Sequence, residues 1–262
     1  MNQSPQDYAI TREQFDAVLF DLDGVLTDTS KLHAACWKKM FDEFLRKRAE
    51  SSGEEFRPFS ITEDYYRYVD GRLRSDGVRG FLRSRTINLP EGDPDAPPES
   101  ETVSGLGNRK NDMVNALMES EGIDVYPDSV TWVRLLHEQD YKTAVVSASS
   151  NCTRVLNAAK ILDLFDTIVD GTVAADLGLA GKPSPDTFLK AAEQLDAEPK
   201  RAVVVEDAIS GVQAARSGGF GLVIGVARKG NAQALKENGA DIVVERFDKF
   251  LHRRDAENAK KT

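Results

Sequence analysis

The sequence is poor in cysteine: Cys36 and Cys152 are the only two among 262 residues, and neither has a CxxC partner. A disulfide framework and a structural zinc site are therefore not expected. Positive charge is also in deficit, and the net charge is −9. That balance argues against nucleic acid or an anionic membrane as partner. It leaves room for an anionic small substrate, since local basic groups can serve a pocket in an acidic protein. No apolar run approaches the roughly 18 residues of a spanning helix. The stretch Met1-Asn2-Gln3-Ser4-Pro5-Gln6-Asp7 lacks the basic and apolar regions of a signal peptide. The simplest expectation is a cytoplasmic protein, monomeric by default.

What the chain does contain is material for a core: 40% of its residues are hydrophobic and 29% charged. One stretch organises the rest, Phe20-Asp21-Leu22-Asp23-Gly24-Val25-Leu26-Thr27-Asp28-Thr29. Ala17-Val18-Leu19-Phe20 reads as a short buried strand of a parallel sheet. Two carboxylates then fall where ligands collect in open α/β sheets, outside the carboxyl ends of the strands. Taken alone, Asp-Leu-Asp-Gly is equally a polar turn, so its meaning depends on context.

Leu32, Cys36, Met40, Phe41, Phe44 and Leu45 recur at helical spacing and predict a helix over 31–50, ended by Ser51-Ser52-Gly53. Short helical patterns with tyrosines and arginines follow over 61–85, the tyrosines reading as core and the arginines as solvated faces. Residues 88–107 are rich in proline and acid without periodicity and predict a long, mobile surface loop. Helical spacing resumes at Met113, Leu117 and Met118.

From Trp132 onward, helices alternate with strands at 143–146, 167–169, 202–205, 221–226 and 241–244. Helices are expected over 151–162, over 184–195 with Ser184 as N-cap, and over 209–217. This alternation implies a doubly wound parallel α/β sheet. The expected organisation is a core from 1–31 and 128–262, with an all-helical lobe, 32–127, inserted after the first strand as a lid. Residues 1–14 read as a lead-in and the basic tail at 259–262 as disordered.

Three more polar clusters fall at ends of this sheet's strands or in its loops: Ser147, Lys182, and Glu206-Asp207. Four carboxylates gathered without compensation would repel one another and raise their pKa values. Lys182 and a divalent cation would relieve that. Mg²⁺ suits such a hard oxygen set best, and would draw a phosphate dianion toward a carboxylate nucleophile.

These clusters, in this order, resemble the haloacid dehalogenase superfamily of phosphotransferases. Asp21 to Thr29 followed by His33, Val125-Tyr126-Pro127, Ser147-Ala148-Ser149, Lys182-Pro183-Ser184-Pro185-Asp186 and Glu206 to Gly211 resemble its β-phosphoglucomutase subfamily, which has a helical cap. The resemblance implies that Asp21 is the nucleophile, taking up the phosphoryl group as an aspartyl phosphate. It implies that Asp23 is the general acid and base. Ser147 and Lys182 resemble the phosphate-holding pair. Asp21, the backbone carbonyl of Asp23 and Asp207 resemble the Mg²⁺ ligands, with Glu206 orienting Lys182 or metal waters.

In the lobe, Arg109-Lys110-Asn111-Asp112 resembles the segment that contacts the sugar, with Lys110 a weaker candidate than Lys182. Arg74 resembles the arginine that grips the non-reacting phosphate, with Ser149 and Asn151 as further donors. His33 falls near Asp23 and the sugar by the same resemblance. Thr29 reads as a hinge, an N-cap, or both. The chain departs from the subfamily at Ser150, where a lysine is usual, and in the length of the 88–107 loop.

Three functions follow for comparison. The first is a mutase that interconverts β-glucose 1-phosphate and glucose 6-phosphate. The second is a phosphatase for a sugar phosphate, using the same residues with water as acceptor. The third is a non-catalytic binding module, disfavoured because Asp21, Asp23, Lys182 and Asp207 are all present.

Overall fold

The structure, a computed structural model, describes residues 10–251. Residues 1–9 of the lead-in expected over 1–14, and the tail at 259–262, lie outside the described residues. Two compact units are distinguished: residues 1–28 with 124–262, and residues 29–123.

The first unit is an α/β sandwich around six parallel strands: β1 (Ala17–Phe20), β2 (Lys142–Val146), β3 (Thr167–Val169), β4 (Ala202–Glu206), β5 (Leu222–Val226) and β6 (Ile242–Val244). Their order is β3-β2-β1-β4-β5-β6, a doubly wound arrangement with β1 central. The central strands β1, β4 and β5 are buried along their whole length, as a sheet covered on both faces requires. Among the described residues, seven helices surround them: α4 (Pro127–Glu138), α5 (Cys152–Ala158), α6 (Gly171–Asp176), α7 (Asp186–Gln194), α8 (Ile209–Ser217), α9 (Ala232–Glu237) and α10 (Asp248–Leu251). Leu19, Val146, Val204, Phe188 and Val212 belong to one core cluster.

Register decides what meets at the carboxyl edge. Phe20 pairs with Val145 on one side and Val205 on the other. One residue further, Asp21 stands level with Val146 and Glu206, and its N–H still donates to Val205 O at 2.9 Å. Beyond the turn the chain zips against its own return. Asp28 N–H donates to Asp124 O and Tyr126 N–H to Leu26 O, each at 2.9 Å.

The second unit contains α1 (Ser30–Ser52), a π-helical segment (Ile61–Val69), α2 (Arg74–Ser84) and α3 (Val103–Glu121). It has its own aromatic core, in which the Phe41 ring stands 4.2 Å from Phe81 and 5.2 Å from Phe59. Tyr65 is buried there, whereas Tyr66 is exposed. Gly53 ends α1 in the left-handed region at φ +73°. Thr29 occupies the position before α1, but its side chain makes no capping hydrogen bond.

Several expectations need correction. The 88–107 loop ends earlier, because α3 begins at Val103, capped by Thr102 Oγ1 accepting from Gly105 N–H at 2.9 Å. Two glycines among its first five residues argue against helix by propensity. Gly105 is needed, though, since a Cβ there would lie 2.4 Å from Ser100 O. The loop is also tied down at many points. Arg79 holds Glu91 through two bonds of 2.7 and 2.9 Å, and Asn108 donates to the carbonyls of Pro94 and Ala96. In the first unit, α5 stops at Ala158 rather than 162. Helix α7 starts at Asp186, with Pro185 at the cap position, because the Ser184 hydroxyl donates to Asp186 Oδ1 and is not used for capping.

One buried ion pair joins α4 to the segment after β5. Asp128 Oδ2 accepts from Arg228 Nη2 and from Phe247 N–H, both at 2.9 Å. Burial pushes the Asp128 carboxyl up, but these donors outweigh it and hold it below the usual range. A depressed carboxylate stabilises the fold above its unfolded pKa and loses that contribution as pH falls through the folded value. Asp128→Asn leaves Arg228 without its counter-charge and is expected to cost about 3 kcal/mol at neutral pH. Urea unfolding should show the gap to wild type narrowing below about pH 4; a gap independent of pH refutes this role for the charge.

Candidate active site

The site is built where β1, β2, β4 and β5 end. Lys182 lies in the loop before α7 and is 3% exposed. Its ammonium donates to Asp21 Oδ1 at 2.6 Å, Glu206 Oε1 at 2.7 Å and Val146 O at 3.0 Å. Three acceptors match its three protons, which is what a buried lysine needs to remain charged. Burial works to lower its pKa, but Asp21 and Glu206 together raise it above the ordinary lysine value.

Around this ammonium the carboxylates of Asp21, Glu206 and Asp207 converge, each offering an oxygen within 4.8 Å of the others. Burial raises the Asp21 carboxyl well above the usual range; Lys182 opposes that, while Glu206, Asp207 and Asp23 add to it. Glu206 Oε2 accepts from Ala208 N–H at 2.7 Å. Asp207 Oδ2 accepts from Lys229 Nζ at 2.7 Å, and Asn231 Nδ2 donates to the Asp207 carbonyl at 3.0 Å. Glycine is required twice. A Cβ on Gly24, at φ +89°, would lie 2.1 Å from Asp207 Oδ2, and one on Gly211 would lie 1.7 Å from Glu206 Oε1.

This donor set fits a divalent cation of the Mg²⁺ type. It is all oxygen and buried, and its carboxylates are paired with the ammonium groups of Lys182 and Lys229. Neither histidine nor thiolate belongs to it, so it does not resemble a zinc site. The Asp23 carboxylate stands outside the converging set, and Asp23 is half-buried.

After β2 the chain forms a short ladder of hydroxyls. Ser147 Oγ accepts from Ser149 N–H at 3.1 Å, and Ser149 Oγ accepts from Asn151 N–H at 3.2 Å. Ser147 is buried, while Ser150 is exposed.

His33, Arg74 and Lys110 belong to the helical unit. Lys110, on α3, is 6% exposed and is no solvated helix-face lysine. Its Nζ lies 2.9 Å from His33 Nδ1 and 5.1 Å from the centre of the Trp37 ring. Arg74 opens α2; burial lowers the pKa of its guanidinium and Asp112 opposes that. Arg109 donates through Nε to Pro98 O at 2.7 Å and fastens the acidic loop.

Lys229 and Asn231 had no place in the sequence reading. A strand-end signal was available: Ala227-Arg228-Lys229 follows β5 on the same edge as the other clusters.

A family model described as haloacid dehalogenase-like hydrolase matches residues 15–219. The chain belongs to that family and is an enzyme of the phosphotransferase or phosphatase kind, which sets aside the non-catalytic module. It is 49% identical over 235 residues to a β-phosphoglucomutase of Mycobacterium bovis, covering 88% of this chain and 90% of that protein. A phosphorylated carbohydrates phosphatase of Thermotoga maritima is 28% identical over 233 residues, covering 87% of this chain and 94% of that one. Among solved structures, a β-phosphoglucomutase from Clostridium difficile superposes with a TM-score of 0.71 at 25% identity, covering 94% of this chain and 98% of that chain. No helix among the described residues is long and apolar enough to cross a membrane.

The close approach at Gly24 carries a direct test. Gly24→Ala must strain a left-handed backbone position and displace the Asp207 carboxylate, at an expected cost of about 1–3 kcal/mol. Equilibrium unfolding in urea measures it, and wild-type stability in the variant would refute the packing described.

Proposed function

We propose that the chain is a Mg²⁺-dependent β-phosphoglucomutase, converting β-glucose 1-phosphate to glucose 6-phosphate through a bisphosphate and an aspartyl phosphate. The observation that carries this reading is the buried Lys182 ammonium bound to both Asp21 and Glu206 beside Asp207. The 49% identity to a protein named for that activity supports the choice of substrate.

In this reading one Asp21 oxygen attacks the substrate phosphorus, and the bond from phosphorus to the sugar oxygen breaks. Asp23 donates the proton that the departing oxygen takes up. In the second half Asp23 removes a proton from the acceptor hydroxyl, and the phosphoryl group leaves Asp21 for that oxygen. Lys182 opposes the pull of burial on Asp21 and so favours its ionised, nucleophilic form. With Ser147 it receives the oxygens of the transferring group. The carboxylates of Asp21 and Asp207, with the Asp23 backbone carbonyl, would hold Mg²⁺, and Glu206 would orient Lys182 or waters of the ion. When bound, the ion supplies positive charge that offsets repulsion between phosphate and carboxylates.

Arg74, Lys110, His33, Ser149 and Asn151 are assigned to the substrate, Arg74 to its non-reacting phosphate and Lys110 with His33 to the sugar. Thr29 is assigned as a hinge, at the boundary between the two units.

One observation favours a second reading. Ser150 stands where a cation would help hold a second phosphate, and a phosphatase does not need that grip. The 28% identical relative is named as a phosphatase.

An assay with β-glucose 1-phosphate, Mg²⁺ and a trace of glucose 1,6-bisphosphate separates the two. Glucose 6-phosphate in excess over inorganic phosphate is expected; phosphate alone would make the enzyme a phosphatase. Asp21→Asn should abolish turnover, and near-wild-type activity would end the nucleophile assignment. Asp23→Asn should slow turnover by about 10²–10⁴-fold, and an unchanged rate would remove Asp23 from proton transfer.

A further inference from the structure

Lys229 is the cation whose role no comparison and no resemblance assigns. It is delivered to the carboxylates by a segment fixed on both sides. Before it, Arg228 is anchored to Asp128 and Ser129, with its guanidinium 3.9 Å from the centre of the Tyr126 ring. After it, Gly230 turns the chain at φ +77°, and Asn231 holds the Asp207 main-chain carbonyl. The segment therefore grips Asp207 at two points, backbone and carboxylate, and brings the Lys229 ammonium onto Oδ2 at 2.7 Å.

The two lysines of the cluster differ in exposure. Lys182 has a 2% exposed side chain and all three protons bound inside the protein. The Lys229 side chain is 21% exposed, and a four-carbon stem carries its charge. Of the two ammonium groups, it is the one nearer to water. A divalent ion taking Asp207 Oδ2 would meet this ammonium at contact distance, and the two cations would repel one another.

We propose that Lys229 is a tethered counter-cation that competes with the divalent ion for Asp207 Oδ2 and is displaced when the ion binds. Lys229 is thus a positioning residue. It neutralises Asp207 and sets the affinity for the ion, without touching substrate. The inference rests on the reading of Asp21 and Asp207 as metal ligands.

The experiment is a Mg²⁺ titration of the full chain by calorimetry, paired with thermal unfolding in EDTA and in saturating Mg²⁺. Lys229→Met is expected to bind Mg²⁺ more tightly by about fivefold or more. The same variant should melt below wild type in EDTA and level with it in saturating Mg²⁺, because the lost ion pair exists only before displacement. A merely structural lysine would, on removal, loosen the site and weaken binding. Lys200→Met, an exposed lysine before β4, controls for net charge and should leave affinity unchanged.

Unchanged or weaker Mg²⁺ binding by Lys229→Met overturns the inference. So does equal tightening by Lys200→Met, or a melting deficit that persists in Mg²⁺. Wild-type protein that shows no Mg²⁺ binding would overturn the metal reading itself, and this inference with it.

Discussion

The site depends on a single ammonium group. Lys182 is enclosed between Asp21 and Glu206, and its third proton goes to the Val146 carbonyl. Its partners come from the ends of β1, β2 and β4, three neighbouring strands of the sheet. Removing these charges from water is costly, and such a group is tolerable only when every proton and its charge find partners. That requirement fixes the register: a slip of one residue between β1 and β4 would turn Asp21 or Glu206 to the opposite face. Strand pairing and site electrostatics are thus the same constraint seen at two scales.

Carboxylates so close to one another need space as well as charge. Gly24 and Gly211 provide it, each standing where a Cβ would overlap a carboxylate oxygen. Gly211 follows Glu206, the carboxylate it clears, whereas Gly24 follows Asp21 and Asp23 but clears Asp207. The strand-turn-glycine pattern is therefore a packing requirement imposed by the acid cluster, in addition to a means of turning the chain.

How much was legible in the sequence follows from where the information resides. The strands could be read because a parallel sheet covered on both faces demands short apolar runs, and Ala202-Val203-Val204-Val205 has no other use for four such residues. Asp21 and Asp207 were candidates because they stand at the ends of those runs, and Lys182, in the loop before α7, because of the motif around it. Residues 103–107 were misread because Gly105 and Gly107 lower helix propensity, while their reason for being glycine is tertiary. Gly105 lies under the Ser100 carbonyl and Gly107 against the Arg74 stem. Lys229 was overlooked because Arg228-Lys229 looks like an ordinary solvated pair until both partners, Asp128 and Asp207, are placed 100 and 22 residues away in the chain.

The same difficulty governs every cation in this acidic chain. Composition counts 34 lysines and arginines, but a count does not say which are already committed. Arg79 is committed to Glu91, Arg85 to Asp64, Arg201 to Asp16, and Arg109 to a carbonyl of the acidic loop. Such groups have exchanged hydration for a fixed internal partner, and an incoming anion would have to break that bond first. Arg74 differs in kind, because burial lowers its pKa while Asp112 acts on it only through charge. A guanidinium that has already lost part of its hydration gains more from a phosphate than a fully solvated one does, because less water remains to be displaced. On that argument partial burial would suit Arg74 to the non-reacting phosphate proposed for it.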